Sequence, residues 1–303
     1  MENWRESYLD ACKNHNCPNN TVCRELQDSY NCEVIGCVGF PGVNNINSSS
    51  FEAEPLWGVN EMVEYVCERG YFPSINPVCT EDGTWSEFVC SPYSKCGEIR
   101  NCNESMEEKD YWLYAAEYQT RVKLFCKWGV GAFVSLQHPN MASFSEYTIT
   151  GTDCATSPLD NPETKGAGTT EFQKIKLQIL KGYKIIVYIH FVTNSSLNPK
   201  DYGSAKDCYP KDNGCGVLGK FVIDTRRTGF KFPDSLTWKT VGTSAVIGNI
   251  TRSMGGHVIT GFCGGDCGGC EIDETGNGTY LQIDINDMPP FESAELPLCQ
   301  FLV

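Results

Sequence analysis

The feature that most restricts this chain is its 18 cysteines in 303 residues, and above all their uneven spread. Ten fall in residues 1–102 and eight in residues 103–303. A reducing cytosol would keep so many thiols reactive, so a dense, even-numbered set reads as a disulfide framework from an oxidising compartment. Six N-x-Ser/Thr sequons, at Asn19, Asn47, Asn103, Asn194, Asn249 and Asn277, point the same way as candidate glycosylation sites. The opening Met1-Glu-Asn-Trp-Arg-Glu-Ser has no apolar h-region, so the sequence reads as a mature region or a fragment of a longer secreted chain. The expected location is extracellular.

The remaining composition excludes several classes. The formal net charge is −14, which argues against nucleic-acid partners, because phosphate contact needs clustered Lys and Arg. The longest apolar runs are far shorter than the roughly twenty residues a membrane span needs, so no transmembrane segment is expected.

Residues 1–35 are polar and turn-rich, with Cys12, Cys17, Cys23 and Cys32. So short a stretch cannot bury enough apolar surface to fold alone, and crosslinks must hold it. The spacing resembles the first two-thirds of an EGF-like domain, a resemblance that implies Cys12–Cys23 and Cys17–Cys32. The family continues Cys-x-Cys, whereas Val34 stands here, so the module is partial. The approach Tyr8-Leu9-Asp10-Ala11 lacks the acidic and amide residues of the calcium-binding form.

Residues 36–91 carry Cys37, Cys67, Cys79 and Cys90 around Tyr65-Val-Cys-Glu-Arg-Gly-Tyr71 and Gly83-Thr-Trp-Ser86. Val63, Tyr65 and Cys67 alternate with polar residues like a half-buried strand, and Trp85 is the expected centre of a small core. The block resembles a sushi (complement control protein) module. That resemblance implies Cys37–Cys79 and Cys67–Cys90, and a spacer or adhesive role without chemistry.

From residue 92 the cysteines thin out and alternating stretches lengthen: Val122/Leu124/Cys126, Ile175/Leu177/Ile179, Ile185/Val187/Ile189/Phe191, Phe221/Ile223/Thr225 and Leu281/Ile283/Ile285. No sustained helical period occurs. The fold class expected is mainly β: small disulfide-stapled modules, then a larger antiparallel all-β domain over 92–285 and a tail over 286–303. Cys96-Gly-Glu-Ile99, Val122-Lys-Leu-Phe-Cys126, Phe172-Gln-Lys-Ile-Lys-Leu177, Gly203-Ser-Ala-Lys-Asp-Cys208-Tyr209, Gly219-Lys-Phe221, Thr228-Gly-Phe230, Trp238 and Gly261-Phe-Cys-Gly-Gly-Asp-Cys-Gly-Gly-Cys270 stand in that order. Together they resemble the GON domain found at the C-terminus of some ADAMTS proteins. The cysteines here are Cys96, Cys102, Cys126, Cys154, Cys208, Cys215, Cys263, Cys267, Cys270 and Cys299. They are read as disulfide-bonded, with Cys208–Cys215 as a candidate local bridge.

Catalytic patterns are missing from the sequence. The four histidines, His15, His138, His190 and His257, build no HExxH, and there is no Gly-x-Ser-x-Gly elbow. No catalytic or metal residue is therefore assigned, and zinc would enter only as part of a larger metalloprotease. Cys263, Cys267 and Cys270 with His257 leave a zinc cluster open beside the disulfide reading, in which the glycines let the backbone bend between bridges. Charge is unevenly distributed: residues 1–90 carry 14 acids and 4 bases, residues 165–239 carry 6 acids and 13 bases. Lys174, Lys176, Arg226 and Arg227 are the candidate patch for a sulfated glycosaminoglycan or another acidic matrix partner, against a bland reading as solvated sheet. The function expected is non-catalytic binding or adhesion to matrix, cell surface or a partner protein. The alternative is an ancillary C-terminal region of an ADAMTS-like zinc metalloendopeptidase whose catalytic domain lies elsewhere.

Overall fold

The computed structural model describes residues 12–26, 29–40, 42–47, 56–145, 168–179, 182–186, 192–194, 199–208, 219–275 and 277–299. Val187, Ile189, His190, Phe191, Cys154 and Cys215 lie outside the described residues. The chain divides into two units, Met1–Tyr93 with Pro297–Val303, and Ser94–Leu296.

In the first unit, β1 (Thr21–Glu25) pairs antiparallel with β2 (Tyr30–Val34), β3 (Gly36–Val38) with β4 (Leu56–Gly58), and β5 (Tyr71–Pro73) with β6 (Cys90–Pro92). Two-stranded ribbons bury little, so crosslinks carry the load. Cys12–Cys23 and Cys17–Cys32 staple the first hairpin, and Cys37–Cys79 and Cys67–Cys90 the following block. The core of that block is Tyr65, Cys67, Phe88 and Cys90, with Tyr65 and Phe88 edge to face at 4.7 Å. Trp85 is not its centre. It is only half-buried and sits edge-on to Trp57 at 6.2 Å, because Tyr65 and Phe88 already fill the space around Cys67–Cys90. Gly83 has φ +78, and a Cβ there would meet Asn20 Nδ2 at 2.4 Å and Val34 Cγ1 at 2.9 Å. The first hairpin therefore packs directly on the turn before Trp85. Pro297 returns to this unit, its C=O accepting from Gly70 N–H.

The second unit opens with the short helix α1 (Cys96–Cys102), whose Glu98 carboxylate accepts from Ser94 and Lys95 N–H. Fourteen strands follow. They are β7 (Asp110–Ala115), β8 (Thr120–Lys127), β9 (Gly131–Ser145), β10 (Gly168–Ile179), β11 (Tyr183–Ile186), β12 (Val192–Asn194), β13 (Ala205–Asp207), β14 (Gly219–Asp224), β15 (Phe230–Lys231), β16 (Trp238–Val241), β17 (Val246–Ser253), β18 (Val258–Gly264), β19 (Gly269–Ile272) and β20 (Tyr280–Ile283). Among the described residues they form one branched sheet with the path β15-β20-β11-β10-β9-β13-β19-β16. β8 and β14 also pair with β9, continuing to β7 and to β18 and β17. The described pairings are antiparallel except β13 with β9. Period-two alternation explains the core: Val122, Leu124, Cys126, Ile175, Leu177, Ile185, Phe221, Ile223 and Leu281 are all buried. Ile285 breaks the pattern. The strand ends at Ile283, and a 3-10 turn over Ile285–Asp287 leaves Ile285 67% exposed. The boundary expected at 285 falls inside this turn, and residues up to Leu296 belong to the unit: Phe291 packs on Trp112, and Glu295 pairs with Lys123.

Candidate functional site

The glycine-cysteine run 261–270 forms the end of β18, a tight loop and the start of β19. Cys263–Cys270 closes the loop on itself, and Cys208–Cys267 ties it to the end of β13. This corrects the expected Cys208–Cys215 bridge: nearness in sequence is no guide when the sheet brings β13 beside β19. Cys96 pairs with Cys126, and Cys102 and Cys299 are each disulfide-bonded.

What the loop encloses is Asp207. Its carboxylate is fully buried, accepting from Gly265 N–H at 2.6 Å and Gly219 N–H at 3.3 Å, while its own N–H donates to Gly268 C=O at 3.1 Å. A Cβ on Gly264 would stand 2.0 Å from that carboxylate, and one on Gly269 would stand 2.1 Å from Ala205 O. The glycines are thus required by close approach to a caged anion and to a neighbouring strand. With Cys263, Cys267 and Cys270 all in disulfides, none is a thiolate ligand. The His257 ring faces elsewhere, toward Thr225, Asp284 and Asp287, so the four candidate zinc ligands are not brought together. His15, Cys17 and Cys23 do converge within 4.8 Å, but both sulfurs belong to disulfides.

Beside the cage lies an open cleft of about 360 Å³, lined by segments 199–201, 204–206, 241–242, 267 and 269–271. Lys200 and Lys206 stand on its wall, and both ammonium groups sit over one ring, that of Phe144, at 5.3 and 5.7 Å. Sequence reasoning counted these lysines in the basic block but did not single them out. Only the parallel pairing of β13 with β9, which sets Lys206 opposite Phe144, reveals them.

The four cations named from sequence are placed differently. Lys174 is half-buried; it donates to Ser135 Oγ at 2.8 Å and covers the Phe125 ring at 4.2 Å. Burial lowers its pKa, opposed by the charge of Asp110. Lys176 follows on the same side of β10, opposite Phe133. Arg226 grips Asp224 with Nε and Nη2, at 2.9 and 2.5 Å. Arg227 sits in the left-handed region at φ +60, with its N–H on the Asp287 carboxylate. Lys174 and Arg226 are therefore engaged inside the domain. Among the sequons, Asn19 and Asn249 are exposed, the latter at a bulge in β17, and Asn47 and Asn103 are half-buried. The side chains of Asn194 and Asn277 lie outside the described residues.

The turns around Arg227, His257 and Asp284 are joined by charge. Asp284 takes Lys231 Nζ and His257 Nε2, each at 3.2 Å, and Asn286 N–H. Burial would raise the pKa of Asp284, but the bonds from Lys231, Asn286 N–H and His257 outweigh it and hold the carboxyl below its ordinary value. Asp224 is lowered likewise, burial being outweighed by Arg226. A folded pKa below the unfolded one contributes stability above the unfolded value and loses it as pH falls through the folded one. The melting temperature should therefore hold steady near neutrality and drop below about pH 4. Asp284→Asn should melt lower at pH 7 and show a shallower acid decline; parallel pH profiles for the two proteins would refute this.

This is a disulfide-stapled, mainly-β chain of two units whose described polar side chains build loops and cages. The sequence profile of the GON domain matches residues 93–284, and that of the sushi repeat (SCR repeat) matches 41–96. The chain belongs to the GON-domain family. A curated relative in Caenorhabditis elegans, A disintegrin and metalloproteinase with thrombospondin motifs gon-1, is 34% identical over 107 residues, or 34% of this chain. The chain spans 5% of that relative's length. No solved structure matches the chain. GON and sushi domains are non-catalytic, and together with the disulfides they fit an extracellular, ADAMTS-like C-terminal region. No helix among the described residues is long and apolar enough to cross a membrane.

Proposed function

We propose that this chain acts by binding, as a non-catalytic module set that attaches to extracellular matrix or cell-surface protein. The observation that carries the proposal is the succession of a sushi repeat and a GON domain in one stapled β chain, with the catalytic HExxH pattern missing from the sequence. Rigid, crosslinked sheets resist proteolysis and present fixed surfaces, which suits long-lived attachment outside the cell. The segment 1–35 is assigned as a truncated EGF-like piece, supported by its first-to-third and second-to-fourth cysteine pairing. A second reading is favoured by the metalloproteinase relative: the same surface positions a protease that is not part of this sequence.

The test is deposition. Secreted, purified chain is applied to decellularised fibroblast layers at physiological salt and washed. Retention that saturates supports the attachment reading; complete recovery in the wash overturns it. For the second reading, fusion to a metalloproteinase domain should raise cleavage of matrix protein without changing cleavage of a short soluble peptide.

A further inference from the structure

We infer that Asn249 carries an N-linked glycan, and that this glycan guards the free edge of β17 against pairing with a second copy of the chain. The inference is independent of what the chain attaches to. It needs only passage through the secretory pathway, which the disulfide framework already implies. The sequon is Asn249-Ile250-Thr251, in the middle of β17. Among the described residues β17 pairs with β18 alone. A strand of 8 residues with one partner presents a row of backbone N–H and C=O groups to any strand that approaches, which is how sheets join across molecules. Both ends of β17 are braced. Arg252 Nη1 and Nη2 donate to Pro233 C=O at 3.2 Å and Leu236 C=O at 2.7 Å. At the other end Ala245 closes on Gly268, where a Cβ would stand 2.6 Å from Ala245 Cβ. Between these braces Gly248, Asn249 and Thr251 are exposed.

The local geometry puts the sugar where it obstructs that edge. The ladder pairs Val246 with Gly264 and Ile247 with Cys263, then resumes at Ile250 with Gly261, so Gly248 and Asn249 together face Phe262 in a bulge. Thr251 Oγ1 and Thr260 Oγ1 share a hydrogen bond of 2.7 Å across the pair. Period-two alternation then sets Asn249, Thr251, Thr260 and Phe262 on the outer face, while Ile250 stands with Phe221 against Gly261 on the inner one. Phe262 is 38% exposed, so an apolar ring lies beside the open edge, a combination that favours association. A further strand must come within about 4.7–4.9 Å of β17 to pair with it. A glycan rooted at Asn249, bulky and solubilising, obstructs that approach and screens the ring. The other described sequons are placed differently. Asn103 Oδ1 already accepts from Ser105 N–H and Oγ at 2.9 and 2.7 Å, and Asn47 is half-buried. Asn19 is exposed, but it lies in the turn before β1 and not on an edge.

The test compares whole chains secreted from cultured animal cells, by glycopeptide mass spectrometry and sedimentation velocity. The native chain should carry sugar at Asn249. Asn249→Gln and Thr251→Ala each remove the sequon, and each should self-associate about tenfold more tightly than the native chain at a nearly unchanged melting temperature. Thr251→Ser keeps the sequon and should behave as the native chain does. Asn249→Lys removes the sugar but sets a charge on the edge, so it too should associate no more than the native chain. Asn19→Gln should leave association unchanged. In the associated form of Asn249→Gln, amide exchange over residues 248–251 should slow, since these groups gain strand partners. If Asn249→Gln does not fold, trimming the sugar from the folded native chain with an endoglycosidase makes the same comparison. A bare Asn249 in the native chain overturns the inference. So do sequon-free variants that associate no more than the native chain, because the bulge alone would then suffice. Association of Asn249→Lys equal to that of Asn249→Gln overturns it as well, because the contact would not be strand pairing.

Discussion

Gly264→Ala should unfold the second unit far more readily than any ordinary glycine substitution. A Cβ at 264 would stand 2.0 Å from Asp207 Cγ and Oδ2 and 2.4 Å from Oδ1. The carboxylate has nowhere to retreat, because Gly265 and Gly219 N–H hold its two oxygens and the Asp207 N–H is bound to Gly268 C=O. Forcing a methyl into such a contact costs about 3 kcal/mol. For a domain of this size the melting temperature should fall by about 6–12 °C. Gly97→Ala is the matched control. It lies in α1, nothing stands within 4 Å of its would-be Cβ, and alanine favours helix, so its melting temperature should be unchanged or slightly raised. Asp207→Ala alone also destabilises, by leaving two buried N–H groups unpaired at about 1–3 kcal/mol each. Combined with Gly264→Ala it should cost less than the sum, because removing the carboxylate makes room for the methyl. Differential scanning calorimetry on the native chain and the four variants decides this. Native melting of Gly264→Ala, or strict additivity in the double variant, would sink the account.

Much of this architecture was readable before any coordinate. Where cysteine spacing and alternation act locally, they are strong signals: Val63, Tyr65 and Cys67 are buried, and Val122, Leu124 and Cys126 face inward together. Features set by long-range pairing were not readable. Asp207 stands beside Cys208 with nothing in its neighbours to mark it as a buried anion; its cage is built by residues 12 and 58 positions away. The glycines of 264–269 looked like hinges for crosslinks, and two of them, Gly264 and Gly269, instead leave the space that Asp207 and Ala205 occupy. Lys174 alternates like a solvated strand lysine, yet its ammonium reaches across β9 to stand over the Phe125 ring of β8. Cys208 found Cys267, not Cys215, because the sheet and not the sequence interval sets the distance. Lys200 and Lys206 are brought together only by the Phe144 ring, over which both ammonium groups stand.

The buried Asn140 is the other position where one side chain holds much of the second unit. β9 and β14 pair through Phe221 with Ala142 and Val222 with Met141, and there the backbone ladder stops. The Asn140 carboxamide continues it as a surrogate peptide group. Its Oδ1 accepts from Asp224 N–H at 2.7 Å, and its Nδ2 donates to Asp224 C=O at 2.9 Å. The same amide accepts from Tyr202 Oη at 2.8 Å and donates to His138 C=O at 2.9 Å. Tyr202 is itself buried against Phe172 and Phe232, and burial pushes its pKa up, with the charge of Asp224 adding to the rise, so the hydroxyl stays protonated as a donor. Asn140→Ala leaves Asp224 N–H, Asp224 C=O and Tyr202 Oη without this partner in a site closed to water. At about 1–3 kcal/mol per buried orphan, the loss should reach about 4 kcal/mol, and the melting temperature should fall by about 8–16 °C. Tyr202→Phe removes one bond and its hydroxyl together and should cost only about 1 kcal/mol. Asn140→Asp separates packing from hydrogen bonding. It keeps the shape but sets a buried carboxylate against Asp224 C=O, so its pKa in the folded protein must rise. A raised folded pKa means that the deficit relative to the native chain is greatest above that value and shrinks as pH falls through it, when the protonated acid can donate again. Thermal melts of the three variants from pH 4.5 to 8 test the assignment. A pH-independent deficit for Asn140→Asp, or a deficit in Asn140→Ala no larger than in Tyr202→Phe, would mean that the amide is not the ladder's continuation.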